Sequence, residues 1–145
     1  MTEFDIERFV EAQESAFAGY ERALNEMRAG EKYGHWIWYI FPQLRGLGHS
    51  SNANFYGIED LAEARRYLCH SVLGPRLREI TLAALSHAED RRAIELMGSD
   101  IDAMKFKSSM TLFDRACPND IFAEVLDAFY DGERCRHTTR MLNMR

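Results

Sequence analysis

Residue types able to do chemistry fall in three places along this chain. The densest is KYGHWIWYIFPQLRGLGHSSN, Lys32 to Asn52. Five aromatics and His35 crowd the nine residues from Tyr33 to Phe41. Gln43 and Arg45 follow Pro42, and a turn through Gly46 and Gly48 leads to Ser50 and Ser51. Successive N–H groups of a glycine-rich turn can cradle an anion, and a guanidinium adds a planar pair of donors. His35 is the candidate general acid or base, because histidine is the side-chain type suited to proton transfer near neutral pH. Trp36, Trp38 and Tyr56 offer rings on which a base could stack. The competing reading is a plain turn after a run of core aromatics.

The second place is MKFKSSMTLF, Met104 to Phe113. On a helix, Ile101, Lys105, Ser108 and Leu112 share one stripe, so Lys105 and Ser108 sit between apolar neighbours. A lysine buried there needs an anion beside it or loses its charge. Lys105 and Lys107 with Ser108, Ser109 and Thr111 make a donor-rich patch within two turns. Alternatively, Lys105 snorkels from the core rim and the hydroxyls bond back to carbonyls four residues earlier. The third place is Gln13, midway between Phe9 and Phe17 on an apolar stripe. A buried amide without partners costs about 1–3 kcal/mol. It either bonds a backbone carbonyl of a neighbouring loop or points into a pocket.

Other chemistries lack their motifs. There is no H-E-x-x-H, no His/Cys set with zinc spacing, no G-x-S-x-G elbow and no P-loop, so no metal or cofactor is expected. The net charge of −5 and pI near 5.5 argue against general nucleic-acid binding. No apolar run could span a bilayer, and MTEFDIERF is not a secretory signal, so a cytoplasmic location is expected. Three cysteines without a C-x-x-C pair read as reduced thiols.

These residues must be positioned by helices, because the periodicity is helical nearly throughout. One helix of roughly twenty residues should run between Asp5 as cap and Gly30 as stop, weakened and open to a break near Gly19. The aromatic run is a short buried helix ended at Phe41 by Pro42. Arg45 to Gly57 reads as loop. Further helices follow over Glu59–His70, over SVLGPRLREITLAAL with Pro75 in its first turn, over Glu89–Met97, from Ser99 or Asp100 to Ala116, and over Asp120–Tyr130, with one more turn near Met141. The expected fold is all-α: one compact domain over residues 1–145, an irregular orthogonal array of about seven helices. Tryptophans two residues apart on a helix point about 160° away from each other. One of the pair should therefore line a pocket or an interface.

The segments GHWIWYIFPQLRGLGHSSNANFYGI, LAEARRYLCHSVLGPRL and MKFKSSMTLF together resemble a bacterial family of uncharacterised helical proteins, domain-of-unknown-function family 1810, sometimes mislabelled calpastatin. The resemblance runs from Phe9 to Leu142 and implies a compact helical domain. It places the family's characteristic positions on Gln13, His35, Trp36, Trp38, Phe41, Pro42, Gln43, Gly46, Gly48, Ser50, Tyr56, Gly57, Lys105, Ser108, Ser109 and Thr111. It implies no catalytic residue and no ligand. The donors, amides and rings of the three places suit a phosphate-bearing, nucleotide-like ligand of the ADP-ribosyl type. Hydrolysis or transfer at a glycosidic or phosphoester bond is the reaction class that fits. The alternative is a non-enzymatic interaction module with an exposed aromatic patch as its binding face.

Overall fold

Where short polar side chains precede apolar periodicity, the chain turns into helix. Asp60 accepts from the Glu63 N–H, Ser99 from Asp102, Asp120 from Ile121 and Ser50 from Ala53. Each such cap satisfies a donor the helix start leaves orphaned. The computed structural model describes residues 5–15 and 18–144. Among them are α1 (Glu7–Gln13), α2 (Tyr20–Ala29), α3 (Ile37–Ile40), α4 (Ser51–Phe55), α5 (Leu61–Cys69), α6 (Leu73–Leu85), α7 (Ala93–Met97), α8 (Asp100–Ala116), α9 (Ile121–Tyr130) and α10 (Arg136–Met144).

The all-α expectation holds, with ten helices among the described residues rather than about seven. Two differences have physical causes. The expected first helix is two, α1 and α2, separated where Gly19 is extended and close against the preceding turn. A Cβ on Gly19 would lie 2.2 Å from the Ser15 carbonyl oxygen. Ala16 and Phe17, expected on the first stripe, lie outside the described residues. The expected loop from Arg45 to Gly57 contains α4, started by the Ser50 cap. An isolated parallel bridge also pins its ends: Arg45 N–H donates to Ile58 O at 2.9 Å, and Ile58 N–H to Gln43 O at 2.8 Å.

The long helix α8 passes through the apolar cluster, with Phe106, Met110 and Phe113 fully buried. Phe41 meets Phe106 at 4.7 Å between ring centres, and Phe113 meets Tyr67 and Phe122 at 5.4 and 5.7 Å. Tilted pairs at these spacings add to the burial itself. Of the stripe expected through Ile101, Lys105, Ser108 and Leu112, only Ser108 and Leu112 are buried. Ile101 is 65% and Met104 67% exposed, and the inward stripe runs through Ala103, Phe106, Met110 and Phe113.

A buried ion pair ties the N-terminal helix to the loop region. Arg8 and Glu63 have side chains only 2% and 5% exposed, 3.2 Å apart. Arg8 also donates to the carbonyls of Phe55, Gly57 and Asp5, and Glu63 accepts from the Glu59 N–H. The guanidinium's donors are thus matched with acceptors from two loops as well as from α5, which offsets its desolvation. Glu63→Ala leaves that guanidinium buried without its counter-charge. We expect a loss of about 3–5 kcal/mol in urea unfolding. A loss under about 1 kcal/mol would contradict the pair's structural role.

Candidate functional site

The aromatic segment is placed by one carboxylate. Glu26, on α2, reaches the turn before α3. Its Oε1 accepts from the N–H of Tyr33 at 2.7 Å, of Gly34 at 2.8 Å and from Trp36 Nε1 at 2.9 Å. Arg22 donates to its other oxygen. Burial opposes ionisation of Glu26, but these donations outweigh it and pull its pKa from the ordinary 4.5 to about 2. Beside it, Lys32 Nζ donates to Gly34 O and pairs with Asp102 Oδ2, both at 2.6 Å, and lies over the Trp36 ring. Trp36 is thereby fixed in the core with no exposed surface.

With Trp36 held inward, Trp38 faces elsewhere. It borders a slot between α3, α4 and α8 with Phe41, Gln43, Ala53, Tyr56 and Lys105. The slot's volume is about 10 Å³, room for roughly one water. The Trp38 Nε1 is buried and has no hydrogen-bond partner among the described residues. Lys105 Nζ stands 4.9 Å from the centre of the Trp38 ring, within cation–π range. Asp102 Oδ1 is 4.0 Å from the same ammonium, but its other oxygen already serves Lys32. One carboxylate between two lysines leaves positive charge over.

Gln43 and Lys105 also border a second cavity, so slot and groove share a wall. This groove runs between α8 and the segment entering α10 and encloses about 610 Å³, the size of a small-molecule site. Four cations line it: Lys105, Lys107, Arg134 and Arg136. Glu133 is the one carboxylate on the wall, and Ser108, Cys135 and His137 supply other polar groups. Apolar footing comes from Leu47, Ile101 and Met104. Lys107 pairs with Glu133 and Arg134 with Asp114, both at 3.2 Å.

The expected site residues divide between this region and elsewhere. Gln43, Lys105 and Ser108 come together on the groove, and Trp38 and Tyr56 on the slot. Gln13 is buried, donating to Tyr39 O at 2.8 Å and Tyr67 OH at 3.0 Å and accepting from Arg76. Arg45 donates to the carbonyls of Asn54 and Gly57 and pairs with Glu59, closing its own loop. Gly46 supplies a positive φ of 107° at the turn, and Gly48 packs against Ala53. Ser50 caps α4. His35 is exposed and borders neither cavity. Ser109 is wholly buried with its hydroxyl unpartnered among the described residues, and Thr111 bonds back to Lys107 O as one reading expected.

Sequence reasoning missed the segment at the far wall. Cys135 stands just before α10, its carbonyl accepting from the Thr139 N–H and its own N–H donating to Thr111 Oγ1. Ser108 Oγ donates to Cys135 Sγ at 3.3 Å. Burial raises the pKa of this thiol. The polar donors around it, Ser108 first, outweigh that rise, so the net direction is down. The available signal was the basic run Arg134–Cys135–Arg136–His137, which lies too far from Lys105 in sequence for local spacing to join them. Among the described residues, no group of three or more His, Cys, Asp or Glu is placed to hold a metal, and no helix is long and apolar enough to cross a membrane.

The chain belongs to a protein family of unknown function, DUF1810, whose model matches residues 3–142. It is similar to the conserved hypothetical protein Rv1873 from Mycobacterium tuberculosis, known from a crystal structure, at 45% identity and a TM-score of 0.89. The match covers 98% of this chain and 99% of that one. No curated protein matches this chain.

The depressed pKa of Glu26 carries a pH signature. A carboxylate held lower in the folded state stabilises it fully above pH 4.5, and that contribution is lost as pH falls toward about 2. Glu26→Gln should therefore lower stability at neutral pH by about 1–3 kcal/mol. It should also flatten the acid limb of a stability-versus-pH curve measured by urea unfolding. An unchanged acid limb would remove Glu26 as its source.

Proposed function

We propose that this protein binds a small phosphate-bearing, nucleotide-like ligand, of the ADP-ribosyl type, in the groove between α8 and the start of α10. The observation that carries this reading is charge. A chain with a net charge of −5 gathers four cations around one carboxylate on a single concave wall. Clustering of that kind inside a cavity focuses the field on an entering anion. Lys105 and Lys107 on α8 and Arg134 opposite them would hold phosphate oxygens, the arginine in its two-pronged geometry. Gln43 and Ser108 are neutral partners for sugar or base. Ile101 and Met104, exposed on the groove wall, give an apolar seat, and the buried Trp38 N–H one slot away is a donor in want of an acceptor.

Hydrolysis or transfer at a glycosidic or phosphoester bond remains the reaction class this ligand suggests. The histidine on the groove wall is His137, and it is better placed for proton transfer there than His35. The interaction-module reading draws on the exposed Tyr33 and Phe55 instead, which are 69% and 37% exposed. It requires neither the cations nor the groove.

A thermal-shift panel of ADP-ribose, ADP, inorganic phosphate and ribose separates these readings. ADP-ribose should raise Tm by on the order of 5–10 °C at about 100 times its Kd. Lys105→Ala should remove most of that rise while leaving the ligand-free Tm near its original value, because the ammonium sits at the core rim. A panel without any phosphate-dependent shift sinks the proposal.

A further inference from the structure

Cys135 has a setting that phosphate binding does not require. Its sulfur lies on the groove wall, half-buried, at the entrance to α10. Ser108 Oγ donates to it across the groove at 3.3 Å. On the first turn of α10, Thr138 is wholly buried and its hydroxyl has no hydrogen-bond partner among the described residues. A charged sulfur accepts such donors better than a neutral one. The surrounding charges act in the same direction. Lys105 and Lys107 face the sulfur's groove from α8, and Arg134, Arg136 and His137 flank it in the chain; Glu133 is the carboxylate on that wall, and Asp114 and Asp102 lie beside Arg134 and Lys105.

We propose that Cys135 is the nucleophile of this groove, attacking an electrophilic carbon of a small anionic ligand whose charge the groove cations hold. In the step, Sγ contributes the electron pair of a new S–C bond. The bond from that carbon to its leaving group breaks, and its pair departs with the leaving group. The thiol proton has gone to solvent beforehand. Ser108 Oγ and the positive field of the groove hold the sulfur's charge until attack, and the cations orient the ligand's anionic end away from it. The proposal rests on the reading of the groove as an anion site and adds what happens to a ligand that carries a leaving group.

The test uses two alkylating probes that differ in charge. Both form an S–C bond and expel iodide, but iodoacetate is anionic and iodoacetamide neutral. The full-length chain carrying Cys69→Ser and Cys117→Ser leaves Cys135 as the sole thiol, and peptide mapping locates the label. The ratio of iodoacetate to iodoacetamide rates should be about tenfold higher at Cys135 than for 2-mercaptoethanol in the same buffers. The iodoacetamide rate should reach half its plateau at a lower pH than it does for 2-mercaptoethanol. Ser108→Ala should shift that midpoint upward, and Lys107→Ala with Arg134→Ala should return the rate ratio to that of the free thiol. A ratio equal to the free thiol's, or a sulfur that neither probe reaches in the folded chain, overturns the proposal. Anion-selective labelling without protection by ADP-ribose sustains Cys135 as the nucleophile and sinks the phosphate reading alone.

Discussion

A single carboxylate oxygen, Glu26 Oε1, accepts three N–H groups from the turn that precedes α3. Because the acceptor is charged and half-sheltered, each donation is stronger than a neutral hydrogen bond. The consequence is geometric. Trp36 can occupy only the inward position, Lys32 is drawn against Asp102, and the four-residue α3 begins in a fixed rotation. From that rotation follow the buried Phe41 against Phe106 and the outward Trp38 against Lys105. Slot and groove both inherit their shared wall from this one constraint.

The helix opposite, α8, has two faces with separate tasks. Its inward face packs Phe106, Met110 and Phe113 into the aromatic core, which fixes its axis. Its other face carries Lys105, Lys107 and Ser108 to the groove on a support that the packing makes rigid. Sites built on such elements keep their geometry better than sites on loops. The facing wall is the segment from Glu133 to His137, held in register by the Cys135 N–H on Thr111 and by Tyr130 OH on Ala103 O. Both walls are therefore tied to α8, one through its side chains and the other through hydrogen bonds to it.

Charge distribution gives the groove its character. Most of the acids of this acidic chain are exposed, where water screens them. Inside the groove the cations outnumber the acid, and the geometry of Asp102 divides one negative charge between Lys32 and Lys105. Membership of a family of unknown function and likeness to a conserved hypothetical protein leave the chemistry of this wall as the basis for any functional reading. On that wall four cations and Cys135 stand beside one carboxylate.

By itself the sequence determined the local structure. Ser99 and Asp120 announced helix starts, Gly30 a stop and Pro42 an end, because capping and φ restriction act within a few residues. The period argument separated Trp36 from Trp38 for the same reason. Three outcomes belonged to the tertiary structure. Arg45 and Gln13, read as ligand donors, have partners in their own surroundings, and only packing decides which acceptors come within reach. The inward face of α8 takes Ser108 and Leu112 from the expected stripe but leaves Ile101 exposed, since a helix that meets neighbours on several sides has no single polar face to reveal its rotation. Cys135 joins Ser108 across 27 residues of chain. Periodicity says which side of its own helix a residue occupies. What that side faces is settled by how helices pack, and that depends on apolar surfaces distributed over the whole chain.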